Sequence, residues 1–412
     1  MTKYTFDDIT VGKEGLLKGP FGSDLKRSLY VPKSKDTYKV YVQENILREN
    51  NDAGTHYISK EYYEKKMSRY AVKEGDFIVT CDGTLGEIFQ LKNIKEKGII
   101  SSSLLRITLN NNIVDDNYFY YLWKAIIRKQ LITQGNNSVL KHLPGIEVIR
   151  KHKIELPDLK TQQKVGQILK LIDTKISNNN AISSQLESLA KTIYDYWFLQ
   201  FEFPNEDGKP YKSSGGKIVW NEELKRETPE GWNVTNVGNI TTCLDSKRVP
   251  LSSKDRENMK GPYPYYGARS EMDSVNEYLF DGDYVLLAED GSVMDDNGFP
   301  ILQRTSGKVW VNNHAHVLQP KKPYGCKLLM FILKNIPVSM IKTGSIQMKV
   351  NQENLNAFKV LSIPENLIEK ANSILNPIDA KIIMLKQENQ KIASLRDFLL
   401  PMLINGQVTF KD

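Results

Sequence analysis

Apolar residues recur at alternating intervals of three and four along two long stretches of the chain. The first stretch runs Val165, Ile168, Ile172, Lys175, Asn179, Ile182, Leu186, Leu189, Ile193 and Tyr196. The second runs Ala371, Ile374, Ile378, Lys381, Leu385, Glu388, Ile392, Leu395, Leu399 and Met402, each 206 positions beyond its counterpart. Such a seam is the pattern of helices packed along their length as a coiled coil. Lys175 and Lys381 occupy the same seam position, where a polar residue fixes register at a cost in stability. A helix of about 40 residues is roughly 60 Å long and, alone, would expose its seam. The economical solution is that the two helices pack on each other. The other reading is two amphipathic helices, each lying on its own domain. Pro377 sits inside the second pattern, where it kinks the helix or marks a fresh start after a short first turn.

The helices close two similar stretches. Gly75-Asp76-Phe77-Ile78-Val79, with Asp82-Gly83-Thr84 after it, matches Gly282-Asp283-Tyr284-Val285-Leu286 and Asp290-Gly291-Ser292. Alternating stretches follow, Ile99 to Ile107 and Val309 to Val317. Apolar-aromatic helix candidates come next, Tyr118 to Trp123 and Leu328 to Leu333, then polar turns at Gln134-Gly135-Asn136 and Thr343-Gly344-Ser345. Strands ending in proline, Ile154 to Pro157 and Val360 to Pro364, complete each copy. The segment from Phe203 to Gly231 is rich in Pro, Gly, Ser and charge, and reads as an extended linker or hinge.

The expected architecture is α+β, with an internal pseudo-two-fold repeat. Two globular mixed α/β domains, 1–157 and 232–364, are separated by helices at 158–202 and 365–404 that form an antiparallel coiled coil. Residues 203–231 link the copies, and 405–412 form a tail.

Length and composition agree with an ordinary globular chain of two or three domains: 412 residues, 40% hydrophobic and 25% charged. There is no run of about 18 apolar residues, so no membrane span is expected. The N-terminus lacks the apolar core of a signal peptide. Cys81, Cys243 and Cys326 are odd in number and far apart, which fits a reducing cytoplasm and not a disulfide or Cys-rich zinc framework. The net charge of +7 is compatible with a polyanion partner but does not demand one.

Catalytic signatures are missing. Gly215-Gly216-Lys217 lacks the spacing and the Ser/Thr of a phosphate-binding loop, and no GxGxxG follows a strand. Asn376-Pro377-Ile378-Asp379 comes nearest to an adenine methyltransferase turn, but it lies inside the helix seam and reads as structural. His314 and His316 share a strand face, yet no third metal ligand is evident nearby, and a structural or DNA-contacting role is expected. The Asp-Gly steps at Asp82 and Asp290 read as turns in which glycine tolerates positive φ, and not as catalytic carboxylates. No catalytic or metal site is expected, and the chain reads as a binding protein.

Against this background the sequence resembles, over essentially its whole length, the specificity subunits of Type I restriction-modification systems. The resemblance is carried by Gly19-Pro20-Phe21-Gly22-Ser23-Asp24-Leu25-Lys26, by Asp207 to Gly216 (DGKPYKSSGG), and by Pro229-Glu230-Gly231-Trp232. Lys247-Arg248-Val249-Pro250-Leu251, Gly261 to Gly267 (GPYPYYG), and Leu156-Pro157 followed by Gln162-Gln163 add to it. The second copy departs from the family pattern, since Ile363-Pro364 is followed by Glu365-Asn366 with no Gln pair, which leaves the capping of that helix in doubt. The resemblance implies two target recognition domains, each reading half of an asymmetric split site in double-stranded DNA. It implies helices that set the unread gap and dock two methyltransferase subunits, with motor-endonuclease subunits joining the complex. S-adenosylmethionine, ATP and Mg are expected on those partners, and no cofactor on this chain.

Phosphates attract Lys and Arg, and base edges are read by polar side chains. On that basis the candidate DNA contacts in the first domain are Ser23, Lys26, Arg27, Lys141 and His142. In the second they are Lys247, Arg248, Lys254, Tyr263, Tyr265, Tyr266, Arg269, Gln347 and Lys349. A scaffold whose end domains bind proteins or glycans is the alternative, and a salt-insensitive complex would favour it.

Overall fold

A computed structural model describes residues 1–134, 142–344 and 348–408. The chain divides into two compact units, Met1–Ser177 with Asn389–Asp412, and Asn178–Glu388. The division therefore falls inside both long helices.

In the first unit a four-stranded sheet runs in the order Leu16–Lys18, Leu104–Ile107, Phe77–Thr80, Ile88–Gln90. The strand Phe77–Thr80 is covered on both faces, which is why it reads as a continuous apolar run. Phe77 and Val79 join the main core, and Ile78 joins a second cluster with Tyr41 and Ile100. The helix Asp116–Leu122 begins where the Asp115 carboxylate accepts the Tyr118 amide (2.9 Å). It buries Tyr118, Phe119, Tyr121 and Leu122 in the main core, where Phe119 meets Phe77 of the sheet (5.3 Å). Phe6 meets Phe119 and Trp123 edge-on, and the Trp123 indole donates to the Gly86 carbonyl (2.8 Å). The first strand, Thr2–Thr5, pairs antiparallel with the closing strand, Lys153–Leu156.

The second unit repeats this order on a larger sheet. Its six strands run Thr241–Cys243, Ala315–Pro320, Phe280–Ala288, Leu302–Val311, Lys260–Tyr266, Glu271–Val275. Along Phe280–Ala288, Val285 and Leu287 face the core with the helix Cys326–Lys334, while Tyr284 and Leu286 enter a separate cluster. Asn233–Asn236 pairs antiparallel with Lys359–Ser362, as the outer strands of the first unit do. Each expected alternating stretch is two strands and not one. Gly98–Ile100 and Leu104–Ile107 are split by Ser101-Ser102-Ser103, and Leu302–Val311 and Ala315–Pro320 by Asn312-Asn313-His314.

The first long helix spans Leu159–Tyr194. Asp158 caps it by accepting the Thr161 amide (3.0 Å). Gln162, from the Gln pair, is buried and donates to the carbonyls of Ile113 (3.0 Å) and Pro157 (2.9 Å). The second long helix, Glu365–Ile404, runs through Pro377 without a fresh start. Its buried Asp379 accepts from Arg304 (2.9 Å), a tie from helix to sheet. In the first unit, Asp173 accepts from Arg396 (2.7 Å) and the Ile176 carbonyl from Asn389 (3.4 Å), so these two segments run in opposite directions.

The inner stripe on the first helix and the turn after it, buried or half-buried throughout, is Val165, Leu169, Ile172, Ile176, Asn179, Ser183, Leu186, Ala190, Ile193 and Trp197. On the second helix the corresponding positions are Ala371, Leu375, Ile378, Ile382, Leu385, Asn389, Ile392, Arg396, Leu399 and Leu403, buried or half-buried and again 206 positions on. This stripe shares only every second position with the expected seam. Ile172, Leu186, Ile193, Ile378, Ile392 and Leu399 lie on the stripe, but the alternate positions fall one residue later in both helices. Ile168 is half-buried beside the stripe, and Lys175, Leu189, Ile374, Lys381 and Leu395 are exposed. The pattern misled because small or polar residues occupy inner positions: Ser183 and Ala190 are small, and Arg396 and Asn389 make specific bonds. The shift has a measurable consequence. Ala190→Leu, at a fully buried position, is expected to overpack and cost about 1–3 kcal/mol in chemical denaturation. Leu189→Lys, at a position 49% exposed, should stay within about 0.5 kcal/mol. The reverse ranking would put the stripe where the apolar pattern first placed it.

The polar stretch after the first helix is not extended. Phe203 stacks on Tyr211 (4.7 Å) and Trp232 (5.1 Å), and Ile218–Asn221 pairs with Arg226–Pro229. Widely spaced aromatic anchors fold a segment whose average composition resembles a linker.

Candidate nucleic-acid interface

In both units the central strand ends in an acidic turn that is bridged by one of the residues singled out from sequence, His142 or Lys349. In the first unit Cys81-Asp82-Gly83 follows Phe77–Thr80, with Gly83 at φ +70°. The Cys81 carbonyl accepts the Leu143 amide (3.1 Å), and the Asp82 backbone bridges His142. Beside this turn, Gly19 donates its amide to the Leu104 carbonyl (2.8 Å). A Cβ at Gly19 would stand 1.9 Å from the Ser101 carbonyl oxygen, so only glycine allows the loop to seat here. Leu25 pins the loop by burial and leaves Ser23, Lys26 and Arg27 exposed. Phe21 is 82% exposed among them. The sequence reading passed over Phe21, although its place between Gly19-Pro20 and Gly22 in a basic loop was a usable signal.

In the second unit Glu289-Asp290-Gly291 follows Phe280–Ala288, with Gly291 at φ +72°. The Asp290 backbone bridges Lys349, which lies 207 positions beyond His142. Five charged groups converge behind this turn. Arg248 donates to Glu289 (2.6 Å) and to the Ala315 carbonyl (2.7 Å), and lies 3.3 Å from Asp245. Lys349 reaches Glu289 at 2.9 Å. His316 faces the Asp245 carboxylate through Nδ1 (2.5 Å) and the Val350 carbonyl through Nε2 (3.0 Å). Both ring nitrogens of the buried imidazole thus have an oxygen partner. Burial pushes the Asp245 carboxyl up, but the hydrogen bond and charge of His316, the Val317 amide and Arg248 outweigh it and hold it below its ordinary value. Glu289 is lowered in the same way, with burial opposed by Lys349, Arg248 and His316.

Cys243 completes a group with Asp245 and His316 whose donor atoms lie within 4.8 Å of one another. A third potential metal ligand thus does stand near His316, brought there by the pairing of Thr241–Cys243 with Ala315–Pro320 across a long sequence separation. Its wiring is that of an ion network. Burial, with Asp245 beside it, pushes the Cys243 thiol up to about 12, so the thiolate that binds metals does not form readily. Both nitrogens of His316 already have partners.

The structure sorts the remaining candidates. Lys247, Lys254, Arg269 and Lys349 are exposed. Arg248 is a correction: its side chain is 11% exposed and bound inside the network, so it orders the loop from within. Tyr265 and Tyr266 are a second correction, at 1% and 5% exposure. Tyr265 packs with Val275 and Trp310, and its hydroxyl accepts the Leu251 amide (3.2 Å). Alternation along Lys260–Tyr266 should have warned that two adjacent tyrosines cannot both face one side, and here both faces are covered. Tyr263 is half-buried, edge-on to Tyr278 with Lys308 over both rings. Lys141 and Gln347 lie outside the described residues. Among the described residues no helix is long and apolar enough to cross a membrane.

Comparisons with known proteins agree with this geometry. The family description "Type I restriction modification DNA specificity domain" matches twice, over residues 25–188 and 229–394. Over 381 residues the chain is 25% identical to the Type I restriction enzyme MjaIX specificity subunit of Methanocaldococcus jannaschii, covering 86% of this chain and 84% of that one. It is 18% identical over 406 residues to the Type I restriction enzyme HindI specificity subunit of Haemophilus influenzae, covering 83% and 88%. The crystal structure of the Type I restriction-modification system S subunit from M. genitalium shares the fold, with a TM-score of 0.60 at 17% identity, over 100% of this chain and 96% of that one. With its domain present once in each repeat, the chain belongs to the Type I restriction-modification DNA specificity family.

Proposed function

We propose that this chain is the sequence-recognition subunit of a Type I restriction-modification complex, in which each unit reads one half of an asymmetric, bipartite DNA site. The observation that carries this reading is the double match to the DNA specificity domain, once in each repeat. Two unlike readers in one chain remove the need for a palindrome, and a set distance between them demands half-sites at a set separation. We assign that distance to the long helices, packed as an antiparallel coiled coil with pseudo-two-fold symmetry. The stripe repeated at an offset of 206 supports this assignment.

The same helices are the docking surface for two methyltransferase subunits. The adenine N6 chemistry and its S-adenosylmethionine belong to those partners, and ATP- and Mg-dependent translocation and cleavage belong to motor-endonuclease subunits. This chain supplies sequence choice. The test is single-molecule methylome sequencing of a host carrying the chain and its methyltransferase partner. One new modified adenine motif with two unlike halves is the expected result, and no new motif from an expressed complex would sink the reading.

A further inference from the structure

The acidic turn that ends the central strand poses a problem for any DNA-facing surface, because a carboxylate repels phosphates. In both units that carboxylate is engaged by a histidine. Asp82 Oδ1 lies 2.6 Å from His142 Nδ1, and Asp290 Oδ1 lies 2.8 Å from His314 Nδ1. The two histidines come from different places. His142 precedes the helix Ile146–Arg150, whereas His314 lies in the turn between Leu302–Val311 and Ala315–Pro320. The position matching His142 in the second unit is Lys349, so the pairing does not follow from the repeat position by position. Both imidazoles are about half exposed, at 49% and 50%. Their backbones are held as well: His142 bridges Asp82, and the His314 carbonyl accepts the Glu289 amide (2.9 Å).

A carboxylate facing Nδ1 places the proton on that nitrogen and leaves Nε2 as the ring atom with a free role. Among the described residues, Nε2 of neither histidine has a hydrogen-bond partner. We propose that His142 and His314 each present Nε2 to a hydrogen-bonding group of the target DNA, with Asp82 and Asp290 as positioning residues that fix the ring's tautomer and direction. This inference rests on the DNA-reading function proposed above. The neutral ring offers a lone pair, which suits an exocyclic amine on a base edge. The charged ring offers a proton, which suits a guanine edge or a phosphate oxygen.

The experiment measures cognate and random DNA binding by the complete complex with its methyltransferase partner. His314→Asn is the decisive variant, because its amide nitrogen replaces Nδ1 and keeps the link to Asp290, while Nε2 is lost. His314→Asn and Asp290→Asn are each expected to weaken cognate binding about tenfold with unchanged melting temperature. The double variant should lose no more than the worse single one, since the two residues act as a unit. His142→Asn and Asp82→Asn should behave alike at the other half-site. Relaxed choice at one base position of the methylated motif identifies a base contact. Uniform weakening on all DNA, with a salt dependence shallower by about one phosphate, identifies a phosphate contact.

Wild-type affinity and motif in His314→Asn and His142→Asn would show that the histidines merely pin loops, and would overturn the proposal. So would tighter binding by Asp290→Asn, the result expected of a carboxylate that only repels DNA. These outcomes leave the DNA-reading function standing. A wild-type complex that binds no bipartite site would remove both readings.

Discussion

Removing Ile176–Ile182 together with Ile382–Glu388, one heptad from each long helix, is expected to shorten the unread gap of the target by about 3 base pairs. Seven residues at 1.5 Å per residue remove roughly 10 Å, against about 3.4 Å for each base pair. The paired deletion keeps the buried stripe in phase. Ser183 takes the place of Ile176 and Leu186 that of Asn179, while Asn389 and Ile392 replace Ile382 and Leu385. It also removes Asn179 and Glu388 together, so their 2.7 Å hydrogen bond is lost without stranding either partner. Methylome sequencing should find the original motif unmodified and a new motif with the same two halves at closer spacing. Deleting the heptad from one helix alone should abolish modification, because the two stripes then no longer match. Altered half-sites, or an unchanged gap, would contradict the ruler.

The second large effect concerns the network behind the Asp290 turn. Arg248→Met is expected to destabilise the second unit by about 3–5 kcal/mol, because Glu289 and Asp245 then keep buried charge with fewer partners. For a unit of this size the melting temperature should fall by roughly 10 °C. Arg248→Lys should rescue only part of this, since a single ammonium cannot serve Glu289 and the Ala315 carbonyl in the guanidinium's geometry.

The effect should depend on pH with a definite sign. Asp245 and Glu289 are held below their ordinary values of 3.8 and 4.5 in the folded state. Their contribution is therefore complete above about pH 5 and disappears as pH falls through the lowered folded values. The gap in melting temperature between wild type and Arg248→Met should be constant near neutrality and close in acid below about pH 4. If Arg248 were instead a free DNA contact, the variant would melt like wild type and only bind DNA more weakly.

Some parts of the fold were open to reading because they rest on local, periodic physics. The helix-length seam, the strand Phe77–Thr80, the aromatic helix around Tyr118 and the Asp-Gly turns all declare themselves through spacing and turn chemistry. Other parts did not. The stretch 203–231 looked like a linker because its Phe203, Tyr211 and Trp232 are too far apart in sequence to register as a cluster, yet stacking brings their rings together. The inner positions of the helices were misplaced by one residue because apolar side chains stand on both flanks of the stripe, and only packing decides which flank is covered.

The candidate site divides in the same way. Exposed loop cations such as Lys26, Arg27 and Lys247 are legible because polar loop residues default to the surface. Arg248 and Tyr265 carry side-chain chemistry suited to DNA contact but are consumed by the interior. What separates them is solvent access, which no single residue encodes.

The sequence by itself determined that this chain is a duplication, with two helices repeating their pattern at one constant offset and two globular parts that drift in length. A repeated period survives in any fold that uses it, so it can be read without coordinates. Only the tertiary structure decided which helix residues face inward, which histidine meets which aspartate, and that Arg248, Glu289, Asp245, His316 and Lys349 form one network. Those relations join positions as many as 223 residues apart, and they exist only once the chain packs and excludes water from the groups between them.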